Sequence, residues 1–191
     1  MASEIDRNFE LYIRHGPLPY GNRTAREFSG AIYVVLSAGK YGLGQAASAF
    51  IENTLNRENT EKLRAAYSQM RKNPGDICEI KDVDCCSYSL WITICIVIAP
   101  DLRISLSEGK VILTELYKNI FSRMTYGSQV FLSPVSGGGF SGGNPLDAYE
   151  PLKNAIVATN SNIIIKVFEF GKENFEKLLH HCSSLTGVTP K

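Results

Sequence analysis

The sequence predicts an α/β fold in which a mixed, mostly parallel sheet lies between helices on both faces. Short apolar, β-branched runs alternate with segments of helical composition, and the run at residues 91–98 is apolar on both faces, as expected for a central strand. Strands that alternate with helices imply right-handed crossovers and a largely parallel sheet. Glycine-rich loops follow the apolar runs at residues 31–36 and 129–132, so both loops are expected at the carboxyl edge, where such sheets bind ligands.

The length of 191 residues predicts a single domain over residues 1–191. Its core is expected to cover residues 30–183. Residues 1–28 contain several glycines and prolines and are expected to form an irregular N-terminal segment. A helix is predicted at about residues 151–159, because proline is tolerated in the first turn of a helix.

Composition excludes several classes of protein. Lys and Arg total 20 against 19 for Asp and Glu, so the composition does not predict a basic surface that binds nucleic acid. The first residues carry charges where a signal peptide needs an apolar core, and the longest apolar run is far below the roughly 20 residues of a membrane span. We therefore expect a cytoplasmic protein that does not enter a membrane.

The five cysteines predict neither a disulfide framework nor a metal site. Their number is odd and their spacing does not repeat. A zinc site could in principle combine Cys85 or Cys86 with His180 or His181, but no CxxC spacing supports it. We expect reduced cysteines packed as small hydrophobic residues, no metal and no cofactor.

The second glycine-rich loop, at residues 133–145, is the most informative segment. Its five glycines are costly to order, so they suit a place where the backbone approaches a ligand closely. Consecutive amides can bind a phosphate without any charged side chain, and Phe140 could cover a sugar or a base. The alternative is a flexible surface loop.

This part of the sequence resembles the macro domain family, in which a strand leads through proline and serine into a glycine-rich turn with a phenylalanine. Residues 131–141 read Phe-Leu-Ser-Pro-Val-Ser-Gly-Gly-Gly-Phe-Ser. Residues 94–101 resemble the family's central strand, with Ala99 replacing a glycine. The likeness covers residues 30–179 and implies a three-layer macro-domain-like fold that binds ADP-ribose or an ADP-ribosylated protein.

The resemblance also implies that the two loops form the ligand site. Loop amides would hold the diphosphate, and Phe140 would pack on a ribose. The residues expected to bind ligand are Ser37, Ala38, Gly39, Gly42, Gly44 and Gln45 in the first loop, and Ser136, Gly137, Gly138, Gly139, Phe140 and Ser141 in the second.

The first loop departs from the family pattern. Ser37 and Gly39 stand in the region of the family's asparagines, and Gln45 and Ala46 replace the acidic residue of hydrolytic members. Glutamine cannot act as a general base, so the sequence favours binding over hydrolysis. Two alternatives stay open. One is an ADP-ribosyl hydrolase with a non-standard acid, and the other is an interaction module without nucleotide.

No catalytic residue is assigned, and no acidic residue is placed as the one that recognises adenine. The other acidic candidates are expected to be surface residues, namely Asp101, Asp147 and Glu150. A Rossmann dinucleotide domain is less favoured, because neither loop has the GxGxxG pattern between a strand and a helix.

Overall fold

The computed structural model describes residues 9–18, 31–85, 90–134, 144–185 and 189–190. The strands and helices, in chain order, are β1 (Phe9–His15), β2 (Ile32–Ala38), α1 (Gln45–Thr54), α2 (Arg57–Gln69), β3 (Ile77–Cys85), β4 (Leu90–Ile98), α3 (Leu106–Ser122), β5 (Gln129–Leu132), α4 (Leu146–Val157), β6 (Ile163–Glu169), α5 (Lys172–His181) and β7 (Thr189–Pro190). They build one sheet in the order β3-β4-β2-β5-β6-β1-β7. Only β3 and β4 pair in antiparallel fashion among these strands, which confirms the mixed, mostly parallel sheet.

Helices cover both faces of the sheet. On one face, Phe50 of α1 and Leu63 of α2 pack against alternate residues of β2 and β4. On the other face, Leu113 of α3, Tyr149 of α4 and Leu178 of α5 pack against the remaining residues of these strands and of β1 and β6. The sheet and the helices on each of its faces form the three layers that the sequence predicts.

The strand predicted to be central is interior but does not occupy the middle of the sheet. β4 lies second from one edge, between β3 and β2, and β5 is the middle strand. Ile94, Cys95 and Ile96 are fully buried because helices cover both faces. Trp91, at the start of the strand, is 68% exposed.

The structure corrects the prediction that residues 1–28 are irregular throughout, because Phe9–His15 forms β1. β1 pairs with β6 along its whole length. Leu11 and Ile13 are buried, whereas Glu10 and Tyr12, which alternate with them along the strand, face outwards. This alternation is the signal of a half-buried strand, and it is easily overlooked beside the glycines and prolines that follow.

The helix predicted at about residues 151–159 begins five residues earlier, and Pro151 lies inside α4. The Asn144 side chain accepts a hydrogen bond from the Leu146 amide at 3.1 Å, which fixes the start of the helix. An internal proline costs about 3 kcal/mol. Burial of Tyr149 and Leu152 offsets that cost, since both side chains are fully enclosed in the core.

The longest helix in the described part of the chain is α3, with 17 residues. It exposes Glu115 and Lys118 on the side opposite its buried face. Among the residues that the structure describes, no helix is both long enough and apolar enough to cross a membrane.

We expect Leu113→Ala to lower the free energy of unfolding by about 2–5 kcal/mol, because it removes a fully buried side chain and leaves a cavity between α3 and the sheet. The matched control is Val111→Ala on the same helix, where the side chain is 64% exposed. The control is expected to change stability by no more than about 0.5 kcal/mol. Equilibrium urea denaturation measures both. Equal losses in the two variants would contradict the packing described here.

Candidate ligand-binding site

The carboxyl ends of five parallel strands meet at one edge of the sheet. β2, β4, β5, β6 and β1 run in the same direction. The chain leaves this edge at Gly39 after β2, at Ala99 after β4 and at Ser133 after β5. Parallel α/β sheets bind ligands beyond this edge, so it is the candidate site.

The first glycine-rich loop folds back on itself as a tight turn. The Gly39 amide donates to the Gly42 carbonyl at 2.8 Å, and the Gly44 amide donates to the Ser37 carbonyl at 3.0 Å. The Ala38 carbonyl accepts from the Ala99 amide of the neighbouring connection at 2.9 Å. Two of the glycine amides in the turn are therefore used within the turn itself.

Helix α1 begins directly after this turn and presents open amides at the same edge. Gly44 occupies the N-cap position without a side-chain cap, and the first turn has no acidic residue. Gln45 and Ala46 are exposed. The first amides of a helix have no intrahelical acceptor, and together with the helix dipole they favour an anion.

The tip of the turn carries an exposed cation and an exposed aromatic ring. Lys40 is exposed, and its ammonium lies 5.6 Å from the centroid of the Tyr41 ring. Tyr41 is 94% exposed. The internal hydrogen bonds of the turn hold both residues at the mouth of the candidate site.

The second loop lies largely outside the described residues. β5 ends at Leu132, and the structure describes the chain up to Pro134 and again from Asn144. The predicted ligand residues Ser136, Gly137, Gly138, Gly139, Phe140 and Ser141 all fall within the undescribed stretch. Their roles stay predictions, as does the assignment of Cys86 to the core.

The acidic candidate nearest to the first loop is already paired. Asp101 accepts from Arg103 Nε at 2.9 Å, from Arg103 Nη2 at 2.8 Å and from the Arg103 backbone amide at 3.0 Å. These hydrogen bonds lower the pKa of the Asp101 carboxyl to about 2. The group is therefore ionised at neutral pH and has no proton to donate as a general acid.

The other two acidic candidates share one lysine. Lys110 Nζ lies 2.9 Å from Glu150 Oε2 and 3.5 Å from Asp147 Oδ1, which joins the N-terminal parts of α3 and α4. The hydrogen bond from Lys110 lowers the pKa of Glu150. Both carboxylates serve as helix-to-helix ion pairs, in agreement with the surface role that the sequence predicts.

Three cysteines are buried thiols within the core. Cys85, Cys95 and Cys182 are each no more than 1% exposed and make no disulfide. Burial raises the pKa of Cys95 to about 12 and that of Cys182 to about 11. Across the part of the chain that the structure describes, no cluster of three or more His, Cys, Asp or Glu residues could hold a metal ion.

The carboxyl edge also gathers residues that the sequence did not single out. Phe170, directly after β6, is 76% exposed, and its carbonyl lies 3.1 Å from Nε2 of His15 at the end of β1. Next to it, Tyr149 donates to Glu169 at 2.7 Å. An aromatic residue that directly follows an apolar strand was the available signal, because such a position lies at the ligand-binding edge.

Comparison with solved structures shows which known fold has this architecture. A macrodomain from Oceanobacillus iheyensis with an Asp-to-Ala mutation matches with a TM-score of 0.68 at 13% identity, over 91% of this chain and 90% of that chain. The chain has the macrodomain fold. A Gly-to-Val mutant of the Oceanobacillus iheyensis macrodomain with ADPR gives a TM-score of 0.64 at 13% identity, over 91% of both chains. The macro domain of ganglioside induced differentiation associated protein 2 gives 0.57 at 14% identity, over 86% of this chain and 83% of that chain.

Sequence comparison identifies no relative of this chain. No protein-family model matches the chain, and no curated protein matches it either. At 13–14% identity the likeness concerns the fold alone. The site must therefore be argued from its own residues.

A second concave surface of the protein lies between two of its helices. A groove of about 300 Å³ runs between α3 and α4, lined by Lys110, Val111, Thr114, Glu115, Glu150, Pro151 and Asn154. Lys110 and Glu150, which carry opposite charges, are paired with each other there. The groove therefore offers no uncompensated cation for a phosphate.

We expect Arg103→Gln to raise the pKa of Asp101 from about 2 towards its ordinary value, because the variant removes the guanidinium that stabilises the carboxylate. Carboxyl ¹³C chemical shifts followed against pH measure the midpoint. Lys118→Gln, on the exposed side of α3, is the control and should leave the midpoint unchanged. An Asp101 midpoint that does not move in Arg103→Gln would show that the pair is absent in solution.

Proposed function

We propose that this protein binds ADP-ribose, or an ADP-ribosylated group on a protein, at the carboxyl edge of its sheet. The observation that carries the proposal is the tight glycine turn that leads directly into the uncapped N-terminus of α1. The fold supports it, because solved macrodomains of the same architecture include structures described as "with ADP" and "with ADPR".

The diphosphate would lie against the start of α1. The amides of Gln45 and Ala46 would donate to one phosphate, and the helix dipole adds to the attraction. A hydrogen bond to an ionised group contributes about 1.5–3 kcal/mol. Two or three such hydrogen bonds would stabilise the bound diphosphate without a charged side chain inside the site.

The second loop would form the opposite wall of the site. Its consecutive glycines, Gly137, Gly138 and Gly139, would allow the backbone to approach the second phosphate. Phe140 would pack on the distal ribose, and Ser136 and Ser141 would flank it. The floor of the site would be formed by four residues of the first loop, namely Ser37, Ala38, Gly39 and Gly42.

Binding is favoured over hydrolysis. The first turn of α1 has no acidic residue, and Gln45 has no proton-accepting carboxylate. Asp101 is held by Arg103, and Asp147 and Glu150 are held by Lys110. The pKa values of the Asp101 and Glu150 carboxyls are lowered by these partners, which makes both groups weaker bases for activating water.

Isothermal calorimetry with ADP-ribose, AMP and NAD tests the proposal. We expect ADP-ribose to bind at least about tenfold more tightly than AMP, because AMP lacks the second phosphate and the distal ribose, and one lost charged hydrogen bond already costs that factor. If no adenine nucleotide binds, the alternative of an interaction module without nucleotide replaces this proposal.

We expect Gly42→Val to weaken ADP-ribose binding at least about tenfold, since the new side chain would occupy the floor of the site. The fold should tolerate it, because no heavy atom lies within 4 Å of the added Cβ. The control is Ala158→Val, which adds the same side chain at an exposed position after α4. Equal affinity of both variants would place the ligand elsewhere.

We also expect little or no release of ADP-ribose from modified aspartate or glutamate side chains. The reason is that each of the three candidate carboxylates is already ion-paired, as described above. A turnover assay on an ADP-ribosylated protein, followed by chromatography of free ADP-ribose, measures this directly. Rapid turnover would contradict the expectation, and loss of that turnover in Asp101→Asn, but not in Asp147→Asn, would identify the acid.

A further inference from the structure

A side chain from α2 forms a hydrogen bond with the backbone of the first glycine-rich loop. Tyr67 Oη donates to the Gly39 carbonyl at 2.8 Å, although the two residues are 28 positions apart in the chain. The Tyr67 ring is partly buried against the apolar cluster under α1 and α2. Lys72 Nζ lies 4.7 Å from the centroid of the same ring and donates to the Met70 carbonyl at 3.2 Å. The hydroxyl is thus fixed by packing and by a cation–π contact.

This hydrogen bond sets the direction of a backbone amide. The described residues contain no cis peptide bonds, so the carbonyl of Gly39 and the amide of Lys40 point in opposite directions across a planar trans peptide. Because the Gly39 carbonyl points at Tyr67, the Lys40 amide points away from α2. Among the described residues, that amide has no hydrogen-bond acceptor.

Without Tyr67 the same peptide would lose a contact that fixes its orientation. Gly39 has no Cβ to restrict its backbone, and a Cβ added there would meet only the Gly42 carbonyl at 3.9 Å. Rotation of the Gly39–Lys40 peptide, even by much less than a half-turn, would turn the Lys40 amide away from its present direction. An amide binds a phosphate oxygen only when its N–H points at that oxygen, so the rotation would weaken the local preference for an anion.

We propose that Tyr67 is a positioning residue, which keeps the Lys40 amide directed at a phosphate of the ligand by holding the Gly39 carbonyl. This inference rests on the proposed function, because it assumes that a diphosphate binds beside the first loop. Tyr67 itself does not touch the ligand. It acts only through the orientation of one peptide.

The test compares the protein with its Tyr67→Phe variant, which keeps the ring, its packing and the cation–π contact but lacks the hydroxyl. In the ligand-free protein, we expect the carbonyl ¹³C shift of Gly39 to change, because a hydrogen bond to that oxygen is lost. We expect calorimetry to show about tenfold weaker binding of ADP-ribose, the loss of one charge-assisted hydrogen bond. The downfield shift of the Lys40 amide on adding ADP-ribose should disappear, while that of Gln45 should persist.

The matched control is Tyr126→Phe, where the hydroxyl belongs to a tyrosine that is 84% exposed in the turn before β5. It should leave both the affinity and the Lys40 shift at their original values. If Tyr67→Phe binds ADP-ribose as well as the unaltered protein and its Lys40 amide still shifts downfield, the positioning role is overturned and the proposed function stands. If the unaltered protein does not bind ADP-ribose, the proposed function fails first, and this inference fails with it.

Discussion

The parallel pairing of β2 with both β4 and β5 is the constraint on which the site depends. Ile32 pairs with Ile92 on one side and with Gln129 on the other, so the three strands run in one direction. Their connections must then leave at one edge. The first loop and the beginning of the second are adjacent for this reason, and the amide end of α1 opens at the same place.

The sequence predicts the middle of this frame well because those strands are nearly continuous apolar runs. β2, β4 and β5 are buried by helices on both faces, and such runs are the direct sign of that burial. In β6, Ile163, Ile165 and Val167 are buried, whereas Ile164 and Lys166 are only partly buried. β1 and β3 carry weaker signals. β3 contains a bulge between Ile80 and Val83, where Asp82 adopts a φ of 55°, so its apolar residues do not keep a period of two.

The candidate site is less accessible to sequence reasoning. The sequence places Gly39, Gly42 and Gly44 in a ligand loop. It does not show that the amides of Gly39 and Gly44 already donate hydrogen bonds within the turn itself. Nor does it pair Tyr67 with the Gly39 carbonyl, because that contact depends on how α2 packs against the sheet. Hydrogen bonds between residues far apart in sequence follow from the tertiary fold and not from local patterns.

The central claim is that a diphosphate binds beside the first turn of α1. A crystal structure of the protein with ADP-ribose tests it most directly. The account predicts diphosphate oxygens within about 2.7–3.2 Å of the amide nitrogens of Gln45 and Ala46. A diphosphate bound instead in the groove between α3 and α4, beside Lys110 and Asn154, would contradict it.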